Sequence, residues 1–312
     1  MQQPAANLHT IEPQPGEPTT EAKNAPKKGQ SPFQMAFRRF RKNKMALVGI
    51  VILILVTLLS VCAPLIASHD PSQADLYNVD AKPDSKHWLG TDDTGRDHFS
   101  RLVYGGRISL LIGFFTMLFT VLIGVTFGAV AGYYGGWIDN LLMRLTDLML
   151  NFPFLLFVLF LISIFEKTTI PLLVSALALT SWPTTARIVR GVFLSLREME
   201  YVQSAKAIGC SDWRIIIRHM LPNALGPIIV NATLLMATMI SIESALSFLG
   251  FGVPEVTPTW GNMLNGAANI RILTQQPWIW IPPGAMIILT VLAINFIGDG
   301  LRDAFDTKST RR

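Results

Sequence analysis

Residues 108–138 read ISLLIGFFTMLFTVLIGVTFGAVAGYYGGWI, a run of 31 residues without an Asp, Glu, Lys or Arg. An apolar helix of roughly 20 residues crosses the hydrocarbon core of a bilayer, which is about 30 Å thick. Because lipid offers no partners for backbone N–H and C=O groups, such a run is expected to be helical. The run therefore predicts a membrane-spanning helix.

Five more charge-free runs lie elsewhere in the chain. They cover residues 45–68, 148–165, 168–186, 219–242 and 272–298. Buried helices of soluble proteins usually have shorter apolar runs, of about 10–14 residues, and the alternating pattern of a β-barrel is absent from all six runs. We predict an all-α integral membrane protein with six transmembrane helices.

The composition also favours a membrane protein. Of the 312 residues, 50% are hydrophobic and 15% are charged, and the mean hydropathy is +0.41. Soluble domains average about 25% charged residues, so a soluble enzyme, a disordered protein and a coiled coil are disfavoured. Because the chain has two cysteines, Cys62 and Cys210, a disulfide scaffold is excluded.

The positions of the Lys and Arg residues predict the orientation of the chain. With the N-terminus in the cytoplasm, six spans return the C-terminus to the same side. Cytoplasmic segments then hold 19 of the 26 Lys and Arg residues, and outer segments hold seven. This bias follows the positive-inside rule. The net charge of +5 is therefore a signal of topology, and we expect no nucleic-acid partner.

The runs divide the chain into segments. Residues 1–32 are rich in Pro, Gln, Glu, Thr and Lys, which predicts a disordered cytoplasmic tail. Residues 33–44 place Phe33, Phe37 and Phe40 on one face of a basic helix at the inner membrane surface. The other predicted segments are the first transmembrane helix (45–68), an extracytoplasmic segment (69–107), a five-helix core (108–302) with cytoplasmic helices at 198–221, and a cytoplasmic tail (303–312).

Two further patterns concern packing. Gly124, Gly128, Gly132 and Gly136 recur every four residues, so they share one helix face and permit close contact within a bundle or a dimer. Three tryptophans lie in a second outer segment, residues 251–280. Trp near a span end usually belongs to the interfacial aromatic belt, and contact with an outer partner is the alternative. These residues are Trp260, Trp278 and Trp280.

Residues 198–223 read EMEYVQSAKAIGCSDWRIIIRHMLPN and predict a helix, a break and a second helix. Glu200 suits a first helical turn, where the helix dipole favours negative charge. Gly209 suits the left-handed position that ends a helix. Ser211 is a candidate N-cap for the second helix, and Pro222 is expected to end it.

The two predicted helices carry apolar residues outside any span, namely Ala205, Ile208, Trp213, Ile216 and Ile217. Exposed apolar side chains rimmed by Arg and Glu indicate insertion into the groove of a partner. The alternative is that they pack on the ends of the protein's own spans.

This segment resembles the coupling motif of ABC importer permeases, which reads Glu-Ala-Ala, three residues, Gly, nine residues and Ile-x-Leu-Pro. Here Gln203-Ser204-Ala205 stands at the triplet, Gly209 at the Gly and HMLP (219–222) at the end. Gln203, Ser204 and His219 differ from the general motif and suit the peptide-importer branch. Four further stretches resemble that branch: HWLGTDDTGRD (87–97), GRISL (106–110), SFLGFG (247–252) and FIGDGLRD (296–303).

Over roughly residues 33–307, the chain resembles the C-type permease of oligopeptide or dipeptide ABC importers of the bacterial cell membrane. The resemblance implies a type I ABC importer permease fold and transport of peptides into the cytoplasm by alternating access. It implies a second homologous permease subunit, two ATP-binding cassette subunits and an extracytoplasmic substrate-binding protein as partners, besides membrane lipid. The residues that it assigns to ATPase coupling are Glu200, Gln203, Ser204, Ala205, Gly209, Trp213, Leu221 and Pro222.

No catalytic residues are expected in this chain. The sequence contains no Gly-x-x-x-x-Gly-Lys-Ser/Thr phosphate loop, no His-Glu-x-x-His and no nucleophile elbow. We therefore expect no cofactor here, and ATP and Mg on the partner subunits. His69, His87 and His98 lie near acidic residues but lack the spacing of metal ligands, so no metal site is expected.

Charged residues inside the spans are few, which disfavours an ion-coupled transporter. Glu243 alone lies well inside a predicted span, whereas Asp147 and Asp299 lie at span edges. Glu243 either lines a pathway or is held neutral by a neighbour such as Ser241 or Ser244. The candidates for a pathway lining are Asn231, Thr233, Ser241 and Glu243.

Two alternative functions stay open at this point. Related permeases that carry nickel or haem-type cargo share these motifs, because selectivity resides largely in the binding protein. A membrane scaffold or channel that needs no ATPase is the alternative of a different class. Co-purification of an ATPase separates a permease from a scaffold.

Overall fold

The computed structural model describes residues 32–306, and the predictions for residues 1–31 and 307–312 lie outside the described part. Within residues 32–306 the chain is helical and has no β-strand apart from an isolated antiparallel bridge between Thr91 and Asp97. The prediction of an all-α fold is confirmed for this part of the chain.

The helices follow one another in the order α1 to α13. Their bounds are α1 Pro32–Phe40, α2 Lys44–Val61, α3 Ala63–Ile66, α4 His98–Tyr134, α5 Gly136–Asn151, α6 Phe154–Ser163, α7 Ile170–Arg197, α8 Glu200–Ala207, α9 Asp212–Arg214, α10 Leu221–Phe248, α11 Trp260–Asn265, α12 Ile270–Gln275 and α13 Pro277–Phe305. A π-helix, Ile215–Met220, joins α9 to α10, and a 3₁₀ turn, Gly266–Ala268, follows α11.

Five of the described helices (α2, α4, α7, α13 and the continuous stretch Asp212–Phe248) are long and apolar enough to span a membrane. Helices α5 and α6 form a sixth span if they count together, but they meet at an angle of 83°. Residues 148–165, predicted as the third span, are therefore not one continuous helix. Pro153 lacks a backbone N–H and Phe152 is extended, so the helix breaks there.

Helix α4 begins ten residues before its charge-free run, inside the segment predicted to be extracytoplasmic. The Asp97 carboxylate caps it, because Asp97 Oδ2 accepts a 2.8 Å hydrogen bond from the backbone N–H of Ser100. Helix α7 likewise continues beyond residue 186 to Arg197. Its added turns carry Arg187 and Arg190, which pair with Asp147 and Asp139 of α5 at 2.5 Å.

The predicted interfacial helix at 33–44 ends earlier, at Phe40, and it packs on the bundle. Ala36 is buried. The Phe40 ring lies against Gly300 of α13, because a Cβ added at Gly300 would be 3.2 Å from Phe40 Cε2. Phe37 is exposed. Helix α2 starts afresh because Asn43 caps it by accepting a hydrogen bond from the Ala46 N–H.

The glycine stripe of α4 packs against α7, as the spacing predicts. A Cβ at Gly128 would lie 2.5 Å from the Ala186 carbonyl oxygen, and one at Gly132 would lie 2.6 Å from Phe193 Cβ. Gly136 is not part of the stripe, because it opens α5 with φ at +55°. The stripe is thus a contact within the bundle.

Trp260 does not belong to an interfacial aromatic belt. Its side chain is fully buried, and its Nε1–H donates to the Leu102 carbonyl at 3.1 Å. Trp278 and Trp280 are partly buried, and Trp280 Nε1 donates to Leu273 O. Trp260 therefore anchors α11 to the first turns of α4.

Candidate functional site

The break between the two predicted helices lies at Gly209, as expected. Helix α8 ends at Ala207, and Gly209 adopts a left-handed φ of +78°. The Cys210 N–H then bonds to Ala205 O at 3.0 Å, and the Gly209 N–H bonds to Lys206 O. This pattern satisfies the last carbonyls of α8 and reverses the chain.

The second helix does not end at Pro222, which corrects the prediction. It runs from Asp212 through the π-helix into α10 without a break. The Leu221 N–H bonds to Ile216 O, so the chain is already widened where Pro222 withholds its N–H. Ser211 stands at the N-cap position but makes no side-chain cap bond.

The apolar residues of this segment lie on two faces. One face packs on the protein's own helices, and the other is exposed, as insertion into a partner requires. Val202, Ala205, Ile215 and Ile216 are buried. They pack in one cluster with residues of α4 and α7, among them Phe193. The predicted exposure of Ala205 and Ile216 is therefore wrong.

The opposite face is uncovered in the single chain. Ile208 is 80% exposed and Trp213 is 70% exposed, and Tyr201 and Ser204 of α8 are exposed as well. We call these four residues the Trp213 surface. Of the other predicted coupling residues, Glu200, Gln203, Gly209 and Pro222 are exposed, and Leu221 is half-buried.

Polar contacts that the sequence pattern does not predict connect this segment to the helical bundle. Tyr133, near the end of α4, donates from Oη to Asp212 Oδ1 at 2.6 Å, and Lys206 Nζ lies 4.9 Å from the centre of the Tyr133 ring. Gln203 Nε2 donates to Arg197 O at 2.9 Å, and Arg197 itself donates to Tyr133 O at 3.2 Å. The segment is thus attached to α4 and α7 at both of its ends.

Two open depressions lie along α10. The first, about 520 Å³, is lined by Asn231 together with Ile188 and Arg302. The second, about 540 Å³, is lined by Thr238, Ser241 and Asn295, among others. Because positions 231, 238, 241 and 245 recur at helical spacing, both depressions share one face of α10, which we call the α10 face.

Thr233 and Glu243 do not lie on the α10 face. Thr233 turns toward α13, with its Cγ2 3.7 Å from the position of a Cβ on Gly298. Glu243 is fully buried and accepts hydrogen bonds from the hydroxyls of Ser247 at 2.7 Å, Ser109 at 3.3 Å and Ser244 at 3.5 Å. Its carboxyl group thus links α4 to α10. Of the two roles considered for Glu243, the structure supports a carboxyl that is hydrogen-bonded to its neighbours over one that lines a pathway.

At the other end of the bundle, charged residues of the 69–97 segment meet the loop before α11. Asp92 accepts from Arg96 Nε at 2.8 Å, and Arg101 donates to the Glu255 carbonyl at 2.9 Å. Burial opposes ionisation of Asp92, but hydrogen bonds from Thr94 and Arg96 and the Arg96 charge hold its pKa below the usual value. Burial and the Asp92 charge raise the pKa of the neighbouring Asp93 carboxyl.

Residues 124–311, more than half of the chain, match the sequence model of a protein family. This family is the binding-protein-dependent transport system inner membrane component. The chain belongs to this family. A second model, for the N-terminal transmembrane domain of oligopeptide transport permease C, matches residues 31–83. The protein is therefore a multi-pass permease of the inner membrane.

Relatives cover nearly the whole chain. The dipeptide transport system permease protein DppC of Alkalihalophilus pseudofirmus is 42% identical over 95% of both chains. The oligopeptide transport system permease protein OppC of Bacillus subtilis is 40% identical over 92% of this chain and 93% of its own. OppC of Escherichia coli is 40% identical over 90% and 92%. These relatives are named as transport permeases.

A solved structure shares the fold of this family member. A chain of the MetNI methionine ABC transporter, in an inward-facing conformation, superposes with a TM-score of 0.54 at 18% identity. The match covers 65% of this chain and 96% of the other. The architecture is thus that of a type I ABC importer permease.

Proposed function

We propose that this permease carries peptides into the cytoplasm as one of two transmembrane subunits of an ATP-driven importer. The observation that carries the proposal is the Trp213 surface, an exposed and largely apolar patch around the Gly209 turn, where α8 ends and the long helix Asp212–Phe248 begins. An exposed apolar patch of this kind fits the groove of a partner protein. The relatives named as dipeptide and oligopeptide permeases support peptides as the substrate class.

The end of the bundle that carries the Trp213 surface faces the cytoplasm in this proposal. The positive-inside rule favours that orientation, because basic residues are concentrated at the ends of α1 and α7 and around the π-helix. Both termini are then cytoplasmic. The segment 69–97 and helix α11 face outward, where an extracytoplasmic substrate-binding protein would deliver the peptide.

Two ATP-binding cassette subunits supply the energy, because this chain has no phosphate loop of its own. Their closure on ATP and Mg moves the Trp213 surface as a rigid body. The movement reaches the spans by two routes. One is the unbroken helix from Asp212 to Phe248, and the other is the hydrogen bond between Tyr133 and Asp212.

The peptide crosses between this chain and a second, homologous permease. The α10 face suits this role because it is open in the single chain and carries the small polar groups of Asn231, Thr238 and Ser241, while Asn295 of α13 lines the same depression as Ser241. Neutral donors and acceptors recognise a peptide backbone without selecting one side chain. ATP binding then shifts the population between inward-open and outward-open arrangements.

The deciding experiment replaces Trp213 by Ala in the complete importer and compares it with Trp137→Ala. Both tryptophans are about equally exposed, at 70% and 74%, but Trp137 lies at the start of α5 and is not one of the four residues of the Trp213 surface. We expect Trp213→Ala to reduce co-purification of the ATPase and uptake of a labelled dipeptide or oligopeptide, while Trp137→Ala retains both.

Three outcomes contradict the proposal. Co-purification and uptake unchanged in Trp213→Ala would remove the coupling role. A chain that purifies from native membranes without any ATPase would be a scaffold or channel. A complex that takes up nickel or a haem-type cargo but no peptide would keep the mechanism and overturn the substrate class.

A further inference from the structure

We propose that His69, His87 and Asp97 bind a divalent transition-metal ion of the Zn²⁺ class, at the end of the bundle opposite the Trp213 surface. The three side chains offer two imidazole nitrogens and one carboxylate oxygen, and these atoms all lie within 4.8 Å of one another. Imidazole and carboxylate are the ligands that zinc takes in sites with three protein ligands and an open position. The inference does not depend on the proposed transport function.

The distances are close to those of a metal site. His87 Nδ1 lies 2.9 Å from Asp97 Oδ1, and His69 Nδ1 lies 3.8 Å from the same oxygen. The two imidazole rings stack with centroids 4.6 Å apart. With metal–ligand bonds of about 2.1 Å, the ligand atoms of a tetrahedral site are roughly 3.4 Å apart. Small side-chain rotations therefore suffice to bring all three to one ion.

The ligands are held in place by contacts outside the cluster. Asp97 Oδ2 is fixed by the Ser100 N–H, which leaves Oδ1 free to face the histidines. The backbone N–H of His69 donates to Ser100 Oγ at 3.3 Å, and that of His87 donates to Asp84 Oδ1 at 2.6 Å. Such supporting contacts orient metal ligands and contribute to affinity.

An ion has a path to the cluster from solvent. An open depression of about 270 Å³ borders all three ligands, and its wall includes the carboxylates of Asp70 and Asp75. Their charge favours a cation, although Lys86 on the same wall opposes it. The side chain of His69 is 39% exposed, so one of the three ligands is directly accessible from water.

The sequence predicts no metal site, because the histidines lack the spacing of metal ligands. In the folded chain, however, His69, His87 and Asp97 lie together. His69 lies 18 residues before His87, which lies ten residues before Asp97. The chain between them folds back so that His69, which follows the first span, reaches the first turn of α4. His98 takes no part, because it is buried elsewhere, in the wall of a separate small cavity. A bound ion would cross-link the end of the first span to the start of α4.

The test uses the full-length chain in lipid nanodiscs, purified without a histidine tag and stripped of metal. Co²⁺ is titrated by its visible absorption bands, and Zn²⁺ is then added in competition. We expect one Co²⁺ per chain, displaced by Zn²⁺, and X-ray absorption of the Zn²⁺ form that shows scattering from two imidazoles. His69→Ala, at a partly exposed position, should weaken binding at least about tenfold.

Asp70→Asn is the matched control, because it removes a negative charge from the same depression without removing a proposed ligand. It should keep the stoichiometry and most of the affinity. His69→Gln serves as a second ligand variant if His69→Ala lowers the thermal midpoint. The proposal is overturned if the wild-type chain binds no Co²⁺, if the His69 variants bind it as tightly as the wild type, or if the Zn²⁺ spectrum lacks imidazole scattering.

Discussion

Tyr133 Oη donates a 2.6 Å hydrogen bond to Asp212 Oδ1, which joins the end of α4 to the first turn of the helix that becomes α10. Tyr133 is 4% exposed, and its ring also lies beneath the Lys206 ammonium group. The residues on either side of the Gly209 break thus contact the same side chain of α4. A displacement of the Trp213 surface cannot leave α4 unmoved while these contacts hold.

Tyr133→Phe should reduce uptake several-fold and leave the assembled complex intact. The variant keeps the ring and its packing but removes one hydrogen bond to a carboxylate, a loss of about 1.5 kcal/mol. Because the Trp213 surface is unchanged, ATPase binding should persist while transport falls relative to ATP hydrolysis. Uptake and hydrolysis measured in the same vesicles give this ratio.

Tyr134→Phe is the control for that variant, since Tyr134 is exposed next to Tyr133. Its transport-to-hydrolysis ratio should equal that of the wild type. An unchanged ratio in Tyr133→Phe would show that the bond to Asp212 does not transmit movement.

Gly128→Ala should destabilise the bundle, because the new Cβ would lie 2.5 Å from the carbonyl oxygen of Ala186 on α7. Overpacking of this kind costs about 1–3 kcal/mol. The measurement is the thermal midpoint of the detergent-solubilised chain by fluorescence-detected gel filtration. Gly191→Ala is the counterpart on α7: a Cβ there meets nothing within 4 Å, so the midpoint should stay the same or rise. Equal midpoints for the two variants would argue against the close α4–α7 contact.

Gly209→Ala should impair uptake more than Gly209→Asn. A Cβ at Gly209 meets no atom within 4 Å, so any effect comes from the backbone, whose φ of +78° costs an L-residue about 1–2 kcal/mol. Asn tolerates this conformation better than Ala.

Gly209→Pro should abolish uptake and leave membrane insertion intact, because proline fixes φ near −65° and removes the N–H that bonds to Lys206 O. Wild-type uptake in the proline variant would contradict a role for the turn.

The stability of the charged 69–97 segment should fall at low pH because of Asp92. Its folded pKa lies below the unfolded value of about 3.9. The stabilisation from its ionised form is therefore complete above that value and is lost as the pH falls through the folded pKa. Hydrogen exchange of the backbone amides that bond to Asp92 Oδ1, those of Thr94 and Arg96, reports the loss.

Asp92→Asn should flatten this dependence, and Asp93→Asn should act in the opposite direction. Burial raises the pKa of Asp93, so its ionised form weakens the segment as the pH rises through that pKa. Near neutral pH, Asp93→Asn should therefore increase protection. The same slope in both variants would contradict the assignment to these two carboxyls.

Much of the architecture follows from local composition. Long charge-free runs predict membrane helices, and Gly209 predicts a turn. Both features depend only on a short stretch of sequence and on the lipid or water around it. Helix ends were harder to predict. The α4 start at His98 depends on the Asp97 cap, and α5 and α6 are separated by the extended Phe152 and by Pro153. Pro222 lies inside a continuous helix because the preceding π-turn makes room for it.

The class of protein, five of the six predicted spans and the turn at Gly209 follow from the sequence, because apolar length and a glycine at a helix end are properties of one stretch of chain. The packing of the helices was needed to show which sides of the coupling segment are buried, that Ser109 of α4 bonds to Glu243, and that His69 and His87 meet at Asp97. These relations join residues 10 to 134 positions apart, and such contacts depend on how whole helices pack rather than on any local pattern.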